Sequence, residues 1–563
     1  MKIFGSCFSM MLFWGLIVSA TVAAEKPNIV LIMADDMGYS DLGCYGGEIP
    51  TPNIDKLGFE GIRFTQFYNT GRCCPTRASL LTGLHPHQTG IGHMVNDQQL
   101  PGYRGDLNEN CVTIAQVLRG SGYRNYCIGK WHVCRNTQSD GPQHNWPLQR
   151  GFDRFYGCYA GTGNYFEPLL ARDNTPISPF GDAEYQPDEY YFTNAVSDQA
   201  ARVIREHKSQ SSDKPFFLYV AYTAPHWPMQ APEKAIEKHK GKYDAGYEPI
   251  RQARYERMKE LGIIEDGWEL SPQHRPWSDV KNIEWEQRGM EVYAAMVEVM
   301  DDGVGRIIES LKETGQYENT VILFLQDNGA CAEKTGRNAR KDFPKRLDVP
   351  PFEPIANDTV LEDRSMVDSR TRAGFPRYQG PQVMPGPTDT HIAYGPSWAN
   401  VSNTPFREYK HWVHEGGIAT PLIVHGPKHV LPSMKGKLCH EPGQLVDVMA
   451  TLVELTGAEY PKTFEGKEII PMEGVSLVPC LTNAKIERRQ PLVWEHEGNR
   501  AIRDGKWKLV AKGPQGKWEL YDLEADRSEM NDLARQYPAR VENLTKQWND
   551  WAVRANVLPW PWK

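Results

Sequence analysis

"NIVLIMADD", residues 28–36, decides the architecture. After Asn28 the chain is apolar without a break to Ala34, then stops at Asp35 and Asp36. A strand with no polar alternate face is covered on both sides, which is the habit of parallel sheets. The same plan recurs in "TVILFLQDNGA" (residues 320–330), where an apolar run over 321–325 ends at Asp327 and Asn328. "KPFFLYVAYTAPHWP" (214–228) leads from the run 216–221 to His226, and "YRNYCIGKWH" (123–132) leads to Lys130 and His132. Helical patterns lie between these runs. "TIAQVLRGSG" is short and is capped by Gly120 or Gly122. "MEVYAAMVEVMDDGVGRIIESLKETG" places Val292, Met296, Val299, Ile307, Ile308 and Leu311 near helical spacing. Alternating strands and helices predict an α/β fold with a large, mainly parallel mixed sheet flanked by helices. Ligands in such folds bind beyond the carboxyl ends of the strands, where these polar groups fall.

The flanks of this pattern have other textures. Lys2, the apolar stretch "MMLFWGLIV" and the small residues of "SATVAAEKP" predict a signal peptide over residues 1–24. The apolar run is short for a membrane span, so an exported chain, periplasmic or secreted, is expected, with no stable membrane span. Residues 25–460 are read as the main α/β domain and 461–563 as a smaller α+β subdomain containing an antiparallel sheet. In the latter, "NRAIRDGKWKLVAK" and "GKWELYDLEAD" predict an antiparallel hairpin, and "YPARVENLTKQWNDWAVRAN" an amphipathic helix. Residues 229–290 and 332–400 show no buried strand and are expected to be surface loops over the mouth of the site.

The chain has 563 residues and a formal net charge of -8, which disfavours a general nucleic-acid partner. An anionic ligand would need a local cationic pocket. The eleven cysteines are too sparse for a disulfide framework to be read from spacing.

Asp35, Asp36, Asp327 and Asn328 are hard oxygen donors and suit Ca²⁺ or Mg²⁺ if the fold joins them. Read alone, the aspartates also fit a cap, and Asp327-Asn328-Gly329 a turn. Lys130, His132, His226 and Lys410 are candidate anion binders and proton carriers, though each alone also reads as an ordinary polar residue.

"GRCCPTRASLLTG" (71–83) sets two cysteines before Pro75, Thr76 and Arg77. No further paired Cys or His ligands support a soft-metal site, and a vicinal disulfide is strained. A buried structural pair and a reactive residue at position 73 both stand. The stretch resembles the sulfatase signature of Cys-x-Pro-Ser/Thr-Arg followed by Leu-x-Thr-Gly. Cys73, Pro75, Thr76, Arg77, Leu80, Thr82 and Gly83 match it. "ADDMGYSD", "GKWH", "APHWP", "QDNGA" and Lys410 followed by "EGG" resemble other sulfatase segments in the same order. The likeness spans nearly all of the chain after residue 24. It is nearest to bacterial arylsulfatases of the type I, formylglycine-dependent class, and it implies the alkaline phosphatase-like fold.

The resemblance implies a sulfuric ester hydrolase. Cys73 would be oxidised to Cα-formylglycine by a separate maturation enzyme, with Cys74 in the variable position. One hydroxyl of the hydrated aldehyde would attack sulfur, and the second would expel sulfate and restore the aldehyde. Asp35, Asp36, Asp327, Asn328 and residue 73 would hold Ca²⁺, with Mg²⁺ the lesser candidate. Arg77 would hold the hydrate, and Lys130 and Lys410 would clamp sulfate oxygens. His132 would assist elimination, and His226 with Lys410 would protonate the leaving oxygen. The substrate would be an aryl or carbohydrate sulfate ester. His496, Asn499 and Arg500 either shape the leaving-group pocket or pack the two domains. A phosphate mono- or diesterase of the same superfamily is the enzymatic alternative, against which Cys73 argues. A non-catalytic binder of sulfated glycans is the alternative of another class.

Overall fold

The computed structural model describes residues 26–562, so the signal peptide expected over 1–24 lies outside the described residues. Strands β1 (Asn28–Ala34), β2 (Ile62–Tyr68), β3 (Arg124–Lys130), β4 (Arg154–Cys158), β5 (Leu170–Arg172), β6 (Thr175–Ile177), β7 (Phe216–Ala221), β8 (Thr320–Gln326), β9 (Ala419–His425), β10 (Lys437–Cys439) and β11 (Gly443–Gln444) form one sheet. Its order is β10-β2-β9-β8-β1-β7-β3-β4-β5-β6, with β11 also on β2. The centre β8-β1-β7-β3-β4 is parallel, and β9 runs against both of its neighbours. The four apolar runs are therefore adjacent strands, in the order β8, β1, β7, β3. Every residue of β1, β7 and β8 is buried, as unbroken apolar runs require.

Helices cover both faces. One face packs the helices Phe192–Gln210 and Ile283–Glu313 against alternate residues of β1, such as Val30 and Ile32. The other packs the helices Cys73–Thr82, Ile114–Gly120 and Val446–Thr456 on Ile29, Leu31 and Met33. The short helix ends at Gly120, and Gly122 follows with φ +90°. Residues from 461 to 491 return to this second face, where Ile469, Leu477, Cys480 and Leu481 are buried in the same core.

The expected C-terminal antiparallel sheet is present and has four strands, β14 (Leu492–His496), β15 (Asn499–Asp504), β16 (Trp507–Ala511) and β17 (Glu519–Asp522), after a small β12-β13 ribbon (Thr463–Phe464, Lys467–Glu468). The helix Pro538–Arg554 packs on it through Leu544, Trp548 and Trp551. One expectation needs correction. Residues 229–290 are not a surface loop. They hold the helix Tyr247–Glu260, whose Arg251 and Arg254 are buried. Arg254 bonds Asp41 and Glu48, so its charge is met inside the protein. Residues 332–400 are largely irregular, as expected, with only the short helices Arg364–Ser369 and Pro396–Ser402.

The four-stranded sheet is joined to the large one by buried charge. Glu415, just before β9, is held by Lys508 at 2.8 Å and Arg527 at 2.7 Å, all fully buried.

Candidate active site

The carboxyl ends of β8, β1, β7 and β3 carry their polar residues to one place. Asp36 N donates to Asp327 Oδ1 at 3.2 Å, and Asn328 Nδ2 donates to Asp36 Oδ1 at 2.7 Å. The backbone makes this approach possible at Gly329, whose N–H bonds Gly417 O at 2.9 Å. A Cβ on Gly329 would stand 1.8 Å from Gly416 O, so the "DNG" and "EGG" segments touch through glycine. That contact brings in Lys410, whose Nζ lies 2.8 Å from Asp36 Oδ1 and 3.3 Å from His226 Nε2.

Cys73 opens the helix Cys73–Thr82, which follows Arg72 at its N-cap. Arg77, one turn on, reaches Asp327 Oδ2 at 2.9 Å and Asp35 Oδ2 at 3.4 Å. Thr76 Oγ1 donates to Asp327 O at 2.6 Å. Lys130 Nζ bonds Asp35 Oδ2. The helix N-terminus adds partial positive charge where Cys73 stands. All ten residues singled out in the sequence thus form one connected, buried cluster. Asp36 and His132 sit at φ 63° and 57°, a left-handed conformation that costs energy outside glycine and is held here by the surrounding contacts.

Burial, then repulsion from Asp327, pushes the Asp35 carboxyl well above the usual range despite Lys130 and Arg77. Burial also opposes the charge on Asp36, but His226 and Lys410 hold its carboxyl below the usual range. Lys410 stays charged against burial because Asp36 faces it. Burial lowers His132 to about 4 and His226 to about 3, so both rings are neutral near pH 7. The His226 tautomer follows from geometry. Its Nδ1 lies 2.7 Å from Trp227 O, which can only accept, so Nδ1 carries the proton and Nε2 is bare toward Lys410.

The donor set fits a hard divalent cation. Asp35 Oδ1 and Asn328 Oδ1 are buried without any hydrogen-bond partner. Buried oxygens left without a partner are costly, and a bound cation would meet them. Ligand atoms of Asp35, Asp36 and His226 lie within 4.8 Å of one another. An all-oxygen set from three carboxylates and an amide favours Ca²⁺- or Mg²⁺-like ions over soft metals.

Cys74 does more than fill a variable slot. Its Sγ lies 3.1 Å from His132 Nε2. Its hydrogen bond to Cys73, with Lys130 and His132, holds the Cys73 thiol well below its ordinary range against burial. Two further residues were not singled out in the sequence. Glu333 accepts from Trp227 Nε1 at 2.6 Å and His411 Nε2 at 3.0 Å, and lies 4.0 Å from Lys410. His411 adjoins Lys410 in the chain, and a lone histidine carries no signal of its own. The nearness of Glu333 to "QDNGA" was the only signal for it. Of the residues expected near the leaving group, His496 is buried beside His93. Arg500 turns away to Pro514 O and Gly516 O and stacks on Trp518.

A cavity of about 230 Å³ opens beside His132, walled by Val95, Tyr159, Leu170, Pro176 and Leu361. Leu361 and Glu362 come from the irregular 332–400 segment, and Glu362 is tied to Ser139 N at 2.6 Å. That segment does reach the mouth of the site.

The sulfatase family model matches residues 27–458, and the model of the N-sulphoglucosamine sulphohydrolase C-terminal region matches 407–553. An arylsulfatase of Klebsiella aerogenes is 32% identical over 83% of this chain and 94% of its own length. An uncharacterised sulfatase of Schizosaccharomyces pombe is 31% identical over 96% of this chain and 95% of its own. The crystal structure of Ps i-CgsB in complex with k-i-k-neocarrahexaose superposes with a TM-score of 0.63 at 24% identity, covering 95% of this chain and 98% of the other. The fold is the alkaline phosphatase-like one that such sulfatases share. With the family model matched over most of its length, this chain belongs to the sulfatase family, whose members hydrolyse sulfate esters.

Proposed function

We propose that this sulfatase works through Cα-formylglycine made from Cys73 by a separate maturation enzyme, with Ca²⁺ held by Asp35, Asp36, Asp327, Asn328 and residue 73. The observation that carries the reading is the setting of Cys73. It begins a helix, it is buried, and Lys130 and His132 act on its side chain. Sγ stands in for the oxygens of the hydrated aldehyde. That diol supplies one hydroxyl to attack sulfur and a second whose deprotonation expels sulfate. Bound Ca²⁺ supplies polarisation of the nucleophile and of a sulfate oxygen.

The chain's own residues do the rest. Arg77 spans Asp327 and Asp35 and presents fixed charge to residue 73. Lys130 and Lys410 enter from two sides of the carboxylates and balance the sulfate oxygens. Lys410 holds its proton 3.3 Å from the bare Nε2 of His226, so the pair can pass a proton to the departing oxygen. His132 is neutral and meets the residue 73–74 thiols, which suits it to take the proton that restores the aldehyde.

The cavity beside His132 is the proposed seat of the leaving group, an aryl or carbohydrate alcohol. The solved complexes of similar fold include an enzyme bound to D-glucosamine-2-N,6-O-disulfate, which supports testing sugars first. Export to a periplasmic or extracellular space is part of the proposal. It rests on the first 24 residues, while among the described residues no helix is long and apolar enough to cross a membrane. The test is kcat/KM on matched aryl sulfate and aryl phosphate, followed by a panel of sulfated sugars. The sulfate is expected to be preferred. A strong phosphate preference would reject the formylglycine reading.

A further inference from the structure

A second cluster lies outside the oxygen-rich site. It joins the tip of the β14-β15 hairpin to His93. The turn has two residues, Glu497 and Gly498, between the paired His496 and Asn499. Both adopt left-handed backbone, at φ 53° and 78°. Such turns favour Asn, Asp or Gly at the first position, so glutamate is held there at a cost.

The side chains explain what the turn presents. His93 Nε2 lies 3.1 Å from Glu497 Oε1, and His496 Nε2 lies 3.6 Å from the same oxygen. The second distance is too long for a hydrogen bond. Both are close to the separation of roughly 3.3 Å between neighbouring ligands of a tetrahedral ion with bonds of about 2.0–2.1 Å. Ligand atoms of all three residues lie within 4.8 Å of one another. The two imidazoles face each other with centroids 5.5 Å apart. His496 is fully buried, yet neither of its ring nitrogens has a hydrogen-bond partner, and Nδ1 of His93 also lacks one. A buried imidazole with two unmet nitrogens is unfavourable unless something else occupies the site.

We propose that His93, His496 and Glu497 bind a divalent ion of the zinc class, separate from the Ca²⁺ set. Two imidazoles and a carboxylate suit zinc-like ions, whereas the all-oxygen set at Asp35 does not. The ion pins the hairpin tip of the C-terminal sheet to the loop that carries His93. Glu497 also accepts from His411 Nδ1 at 2.8 Å and faces Arg72 at 3.8 Å. The clamp therefore borders the residue that precedes Cys73.

Co²⁺ is the probe. The full chain, kept in saturating Ca²⁺, is titrated with Co²⁺ and followed by its visible d–d absorption. One equivalent is expected to give the bands of a four-coordinate nitrogen–oxygen site, and Zn²⁺ is expected to displace them. Loss of partners that only support a metal ligand costs about 10–100-fold in affinity, so His93→Ala and His496→Ala should each cost at least about 100-fold. His93 is partly exposed, so its variant decides the matter if His496→Ala does not fold by circular dichroism. No band in the unaltered protein, or a band retained in either folded variant, overturns the proposal and leaves the cluster as a histidine–glutamate hydrogen-bond network.

Discussion

Lys410 Nζ and Asp36 Oδ1 form an ion pair 2.8 Å long in which both side chains are almost wholly buried. The lysine arrives from the segment before β9 and the aspartate from the end of β1. Removing the ammonium leaves Asp36 Oδ1 with the Asn328 amide and strips one cation from the proposed sulfate site. Lys410→Ala is expected to lower kcat on an aryl sulfate by about 10²–10³-fold, the cost of losing one preorganised charge donor. Steady-state kinetics on the folded variant checks this. An unchanged kcat would remove Lys410 from the mechanism.

The unmet oxygens of Asp35 and Asn328 make a prediction about metal. With Zn²⁺ held constant, removal of Ca²⁺ is expected to lower both activity and Tm, and its return to restore both. Asn328→Ala should weaken the Ca²⁺-dependent rise in Tm, because binding to the folded state alone stabilises it. Differential scanning calorimetry across a Ca²⁺ series is the measurement. A Tm indifferent to Ca²⁺ would count against the site.

Gly329 is expected to tolerate no side chain. Its Cβ would meet Gly416 O at 1.8 Å, backbone against backbone. Gly329→Ala should cost at least about 2 kcal/mol of stability and displace Asp327 and Lys410 together. Urea unfolding and kcat/KM should therefore fall in the same variant.

Glu415 sets a pH dependence. Burial opposes its charge, but Lys508 and Arg527 lower its pKa from 4.5 to about 2. The folded pKa lies below the unfolded one, so the stabilisation is present above pH 4.5 and is lost as pH falls toward 2. The full difference is on the order of 3 kcal/mol. Glu415→Gln should lower stability at pH 7, since it leaves two buried cations short of a partner, and should flatten the decline between those pH values. Denaturant titrations of both proteins at a series of pH values test it.

Much of the sheet was legible because its central strands are covered on both faces. β1, β7 and β8 carry unbroken apolar runs of strand length, closed by polar residues. The helix Tyr247–Glu260 was hidden for the opposite reason. Its inner face carries Arg251 and Arg254, which pair inside the protein, so no apolar stripe marks it. The link between the sheets was likewise unreadable, since Glu415, Lys508 and Arg527 lie far apart in the chain. Seven of the ten candidate residues could be proposed singly from strand ends, but only the resemblance joined Cys73, Arg77 and Lys410 to them. Their convergence depends on the order β8-β1-β7-β3 and on the glycine contact at Gly329, neither of which spacing encodes.

The central claim is that residue 73 works as an aldehyde hydrate and not as a thiol. Mass spectrometry of the tryptic peptide spanning residues 73–77, from protein purified in its active form, tests it most directly. An aldehyde at position 73 is expected in proportion to specific activity, with an unmodified Cys74 and no turnover in Cys73→Ala. An intact thiol at Cys73 in fully active protein would contradict it.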